Sequence, residues 1–149
     1  MLLKERIARE LERIALANDG VLRQEDVVAF ARDPSTALHS QFDWDDTEAA
    51  HQWRLQQAAQ VIRMQVRVLE EDAASVRAYV SLTPDRANGG GYRMMASVLS
   101  NEELSRQMML DALAELSAVR RKYRTLQRLS GVWNEIDAAV AAESEATAA

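Results

Sequence analysis

The sequence predicts an α+β fold. N-terminal helices in a winged helix-turn-helix-like order lead into a small antiparallel β-hairpin or three-stranded sheet, and a long C-terminal helix closes the chain. Three observations carry this. Apolar residues recur at helical spacing near both ends, the period falls to two between residues 63 and 82, and Gly, Pro, Asp and Asn punctuate the joins.

Leu3, Ile7, Leu11 and Ile14 step by four and three through charged neighbours, one apolar stripe of an amphipathic helix. Asn18-Asp19-Gly20 ends it, with Gly20 free to take a left-handed cap. A short second helix, Gln24 to Arg32, carries Val27, Val28 and Phe30. It stops at Asp33-Pro34, because a residue before proline avoids the helical region. After a loop, Asp45 or Asp46 is expected to cap a third helix, with Trp44 stapling its start and Ala49, Ala50, Trp53, Ala58 and Val61 forming its apolar face.

Beyond Ile62, Met64, Val66 and Val68 alternate with Arg63, Gln65 and Arg67. Past a turn at Glu70 to Ala74, Val76, Ala78, Val80 and Leu82 alternate with Arg77, Tyr79 and Ser81, which predicts two antiparallel strands. A loop from Thr83 to Gly91 follows, then a candidate third strand, Tyr92 to Leu99. From Leu104 to Val140 the apolar period is helical again. Unbroken, that helix covers about 40 residues and roughly 60 Å, longer than a domain of this size is wide. Either it breaks near Ser130-Gly131 or part of its stripe packs on another chain. The expected organisation is residues 1–100 as a helical and hairpin domain, 101–142 as a long helix for self-association, and 143–149 as a frayed tail.

With 149 residues, 48% hydrophobic and 28% charged, the chain can build one ordinary core. It has no cysteine, which excludes disulfides, zinc thiolates and cysteine nucleophiles. No apolar run approaches a membrane span and the start is too charged for a signal peptide, so a cytoplasmic protein of a host cell is expected. The net charge is −5, yet of 18 basic residues only Lys4 and Lys122 are lysine. Arginine's planar fork suits phosphate or carboxylate, although GC-rich codon usage also favours it.

Further features mark a resemblance. They are Gly20-Val21-Leu22, Glu25-Asp26-Val27-Val28, Ala31-Arg32-Asp33-Pro34, Leu38-His39-Ser40 and Phe42-Asp43-Trp44-Asp45-Asp46. With them go Val76-Arg77-Ala78-Tyr79-Val80-Ser81-Leu82, Asp85-Arg86 and Gly89-Gly90-Gly91-Tyr92-Arg93. From about residue 20 to about residue 137 the chain resembles a group of small proteins encoded in tailed-phage and prophage genomes of proteobacteria. The resemblance implies a phage context and brings no catalytic residue.

His39, Asp43, Asp45, Asp46 and His51 could supply metal ligands, but the spacing lacks a paired histidine one helical turn away, and a pinned loop with an acidic cap is the expectation. His39-Ser40 is no catalytic constellation, since sequence neighbours rarely meet correctly. Gly89-Gly90-Gly91 between Arg86 and Arg93 lacks the Walker lysine and serine, so a hairpin tip is the plainer reading. No catalytic residue, metal or cofactor is expected.

Two surfaces stand out. Arg63, Gln65, Arg67, Arg77, Tyr79, Ser81 and Arg93 would share the strand face opposite the valines, where arginines hold phosphates and an aromatic ring stacks on a base. In the last helix Arg120, Arg121, Arg124 and Arg128 would form a basic stripe, with Val119, Tyr123, Leu126, Trp133 and Ile136 burying themselves between chains. Gln52, Arg54, Gln56, Gln57 and Gln60 add a polar surface where a recognition helix would lie. The leading expectation is a non-enzymatic phage accessory protein that binds DNA or RNA through Arg63, Arg67, Arg77, Tyr79, Arg86, Arg93 and the last-helix arginines. The alternative is a phage factor that binds a phage or host protein, as an assembly or virion component or an inhibitor.

Overall fold

The amphipathic stripe of the first fifteen residues builds α1 (Leu3–Ala17), which buries Ile7, Leu11, Ile14 and Ala15 and leaves Leu3 exposed. The structure, a computed structural model, describes residues 1–44, 47–67 and 74–149. Glu5 accepts from the Leu2 N–H at the start of α1. At its end the Gly20 N–H donates to the Ala15 carbonyl at 2.8 Å, and Gly20 has φ +80°, the left-handed cap expected there.

β1 (Val21–Leu22) and α2 (Gln24–Ala31) follow. The chain then crosses to α3 (Glu48–Met64) through a 3-10 turn, Leu38–Gln41. The cap of α3 is Thr47, whose hydroxyl accepts from the Ala50 N–H at 3.2 Å. This corrects the expectation that Asp45 or Asp46 fills that role; both lie outside the described residues. The apolar face of α3 is also narrower than expected. Ala58, Ala59 and Ile62 are buried, but Trp53 is 54% exposed.

The alternating segment is mostly not strand on its first side, because α3 runs on through Arg63 and Met64. Only β2 (Val66–Arg67) remains, paired antiparallel with β3 (Val76–Arg77). Val68 and most of the expected turn lie outside the described residues. At Ala78 the chain changes partner. The Ala78 N–H donates to Gln65, and its carbonyl accepts from the Met95 N–H. Beyond it β4 (Tyr79–Val80) belongs to a second sheet with β5 (Tyr92–Met94), in the order β1-β5-β4. Between them Thr83–Ala87 forms a helical turn, α4, with Pro84 near its start, where a loop was expected. The third strand is short: Met95–Ser100 is helical, α5.

Strand pairing sets the faces. Leu22 opposes Tyr92 and Tyr79 opposes Met94, so these four share the side turned to the core, while Val21, Val80 and Arg93 share the other. The core joins Leu11, Leu22, Val27, Val28, Leu38, Phe42, Ala58, Ile62 and Tyr79. Helix, strand, two helices and a hairpin whose second strand pairs with the first strand make up a winged-helix order. The arm β2–β3 is added at the base of the hairpin.

Residues Met1–Asn101 form one compact unit and Glu102–Ala149 a second. The second ends in the long C-terminal helix that was expected, but a turn divides it from the helix before. The unit is α6 (Glu102–Tyr123), a 3-10 turn (Gln127–Leu129) and α7 (Ser130–Ala148). The break falls at Arg124 to Leu126 rather than Ser130-Gly131, and Gly131 lies inside α7. Arg106 Nη2 donates to Thr147 Oγ1 at 2.7 Å and Arg120 pairs with Asp137, so α6 and α7 form an antiparallel hairpin. No helix among the described residues is long and apolar enough to cross a membrane.

Candidate nucleic-acid interface

The histidine- and tryptophan-rich connection before α3 is held by its own side chains. His39 stacks on Trp44 with ring centroids 4.9 Å apart and planes 9° from parallel. His39 Nδ1 lies 2.8 Å from the Ala31 carbonyl, and Trp44 Nε1 donates to the His39 carbonyl at 3.0 Å. Arg54, only 4% exposed, donates to the Asp43 carbonyl at 3.1 Å with its guanidinium 5.4 Å from the Trp44 ring. The Glu10 carboxylate takes the Ala37 and Leu38 N–H groups at 2.8 and 2.9 Å. Asp33 accepts from the Ser35 backbone and hydroxyl, which lowers its carboxyl below the ordinary range. Ser40 Oγ donates to Ala37 rather than to His39. Among the described residues no group of three or more His, Asp or Glu is placed to hold a metal ion.

This pinning fixes the orientation of α3. With Arg54 turned inward, the outer face carries Gln52, Trp53, Gln56, Gln60, Arg63 and Met64, all exposed. After Glu48 at its first position the helix contains no acid. The face therefore offers amide donors and acceptors, one guanidinium and one large open ring. Arg54, expected on this surface, is a core-facing clamp instead.

The strand face differs from expectation in three ways. Val66 opposes Arg77 and Arg67 opposes Val76, so Arg67 and Arg77 lie on opposite faces of their ribbon rather than together. Both are exposed, as is Arg63 in the last turn of α3, next along the chain to the arm. Tyr79 is 6% exposed within the core, so it offers no ring for stacking. Burial, with Glu12 nearby, pushes its hydroxyl up to about 12. Arg93 is committed to a two-pronged pair with Asp85, both contacts at 2.7 Å, which raises the guanidinium further.

Arg86 donates to the Ser81 carbonyl and the Thr83 hydroxyl, each at 2.6 Å, so it closes α4 onto the hairpin. Gly91 is required by packing. Its φ is +137°, and a Cβ there would meet Val21 Cγ1 at 2.6 Å.

The last-helix stripe is divided. Arg120 and Arg121 lie on α6, but Arg124 and Arg128 lie in the connection beyond it, so the four do not share a helical face. Arg121, Lys122, Arg124 and Arg128 are exposed. Trp133 and Ile136, expected between chains, are buried, while Val119, Tyr123 and Leu126 remain 41–51% exposed.

The exposed Trp53, the inward Arg54 and the Asp85–Arg93 pair were missed in the sequence. Periodicity gave both Trp53 and Arg54 the wrong side; the ring under Arg54 is Trp44, ten residues earlier across the helix start, and no local spacing rule joins the two. The chain matches no protein family, no curated protein and no solved structure.

Proposed function

We propose that the chain is a non-enzymatic phage accessory protein that binds nucleic acid through α3 and the arm that follows it. The observation that carries this reading is the outer face of α3. It presents Gln52, Trp53, Gln56, Gln60 and Arg63 with no acid after Glu48, in the place a recognition helix holds in the winged-helix order. Glutamine amides and arginine form paired hydrogen bonds with base edges in the major groove. Arg63, Arg67 and Arg77 at the end of the helix supply phosphate contacts that are indifferent to sequence. Because Arg67 and Arg77 face opposite ways, they suit a ribbon straddling a backbone better than a flat platform for single strands. Tyr79 and Arg93 leave the candidate set, being buried and paired.

The competing reading is a factor that binds a phage or host protein, favoured by the net charge of −5. A fluorescence-anisotropy titration with duplex DNA, single-stranded DNA and RNA separates the two. Duplex binding that Trp53→Ala and Gln56→Ala each weaken by about 1–3 kcal/mol on a preferred sequence supports base reading by α3. A folded protein that binds none of the three at low salt leaves the protein-partner reading in its place.

A further inference from the structure

The second unit hides very little of itself. Of residues 102–149 only Leu113, Trp133 and Ile136 are buried hydrophobics. Segments below about 70 residues rarely hold a core without a disulfide, a metal or a partner, and the chain has no cysteine. The exposed apolar residues are not scattered. Met109, Ala112, Leu116, Val119 and Tyr123 step by three and four along α6, and all five are exposed. This is the heptad spacing of a helix seam. Leu113, which faces α7, lies beside the seam rather than in it. At about 100° per residue, and with α7 antiparallel, exposed Val132 and Ala139 fall on the same side of the hairpin as that seam.

Charge is segregated along the same axis. The turn end carries Arg120, Arg121, Lys122, Arg124 and Arg128 against Glu135 and Asp137, the latter already paired with Arg120, so it keeps a net positive charge. The open end carries Glu102, Glu103, Glu143 and Glu145 against the single base Arg106.

From these observations we infer that the seam of α6 is covered by a second copy of this chain, the two hairpins packing antiparallel into a four-helix bundle. Leu116 is the midpoint of the seam and sits on the two-fold axis. An isologous interface needs a self-complementary surface. The antiparallel arrangement provides one: each basic turn end meets the acidic open end of the other copy, whereas a parallel arrangement sets like charges together. This assigns the basic run a role in assembly, independent of the reading of α3.

The test uses the full chain. Light scattering at high micromolar concentration is expected to give twice 16.7 kDa. Leu116→Arg places like charges on the two-fold and is expected to give a monomer. Because Leu116 is 43% exposed in the single chain, the arginine clashes with nothing inside its own hairpin, and any fall in helical circular-dichroism signal that accompanies the monomer measures how far the hairpin depends on its partner.

With no native cysteine, Glu103→Cys carries a single spin label per chain. Thirteen positions from Leu116 and 1.5 Å per residue put the two labels of an antiparallel dimer roughly 40 Å apart. A wild-type monomer overturns the inference, as does a Leu116→Arg dimer. A label separation below about 25 Å, the parallel case in which neighbouring helices lie about 10 Å apart, overturns the orientation.

Discussion

Single side chains decide how the connection between α2 and α3 is held. The Thr47 hydroxyl satisfies an orphan amide of α3, so Thr47→Ala is expected to cost about 0.5–2 kcal/mol in a urea denaturation, while Thr47→Asp retains most of the stability. Tyr79 ties stability to alkaline pH. Its hydroxyl titrates at 10.0 when unfolded and is pushed up to about 12 in the fold, so the folded state prefers the protonated form. Stability from this group is complete below pH 10 and falls as pH rises from 10 toward 12. Tyr79→Phe removes that dependence, and melting curves of the two proteins between pH 9 and 11 are expected to differ in slope. At this scale the sequence was only partly readable. Sequence puts the cap one or two residues early, at Asp45 or Asp46, because aspartate and threonine are both good caps and only the Ala50 N–H, which donates to Thr47, singles out the threonine.

Short elements account for most of the disagreement between sequence and structure. Alternation at Arg63 to Val68 looked like a strand, yet Gln65 ends a helix there and the described ladder on that side is two residues long. A period of two cannot be distinguished from helix over so few positions, and a one-residue change in pairing moves a side chain across the ribbon. That is why alternation alone puts Arg67 and Arg77 together and Tyr79 outside. The break after Tyr123 carries neither Gly nor Pro. Leu126 leaves helical geometry at ψ 86° so that Trp133 and Ile136 can fold back within the second unit, a tertiary demand that local propensity does not record. By contrast α1, α2, the Gly20 cap and the antiparallel arm were legible, because their stripes and turn residues agree. One element-level consequence concerns the hairpin tip. Gly91→Ala forces a Cβ onto Val21 Cγ1 at positive φ, separating β5 from β1, and is expected to cost about 1–3 kcal/mol.

At the scale of the whole molecule, two units with different surfaces point to different tasks. The first unit offers a polar helix face ending in three exposed arginines, and the second an apolar seam with opposite charges at its ends. The candidate residues were therefore visible as residue types but not as surfaces: Gln52, Gln56, Gln60, Arg63, Arg67 and Arg77 are exposed, while Tyr79 is buried and Arg93 is paired with Asp85. The central claim is that Arg63, Arg67 and Arg77 meet phosphates, and counterion release measures it directly. The deciding measurement is the slope of log affinity for duplex DNA against log salt, for the wild type and for a variant with Arg63, Arg67 and Arg77 all changed to Ala. Each phosphate contact contributes about 0.9 to that slope. The account predicts a triple variant that is folded, weaker on every sequence, and shallower in slope by about 2–3. An unchanged slope, or a wild type that does not bind at low salt, would contradict it.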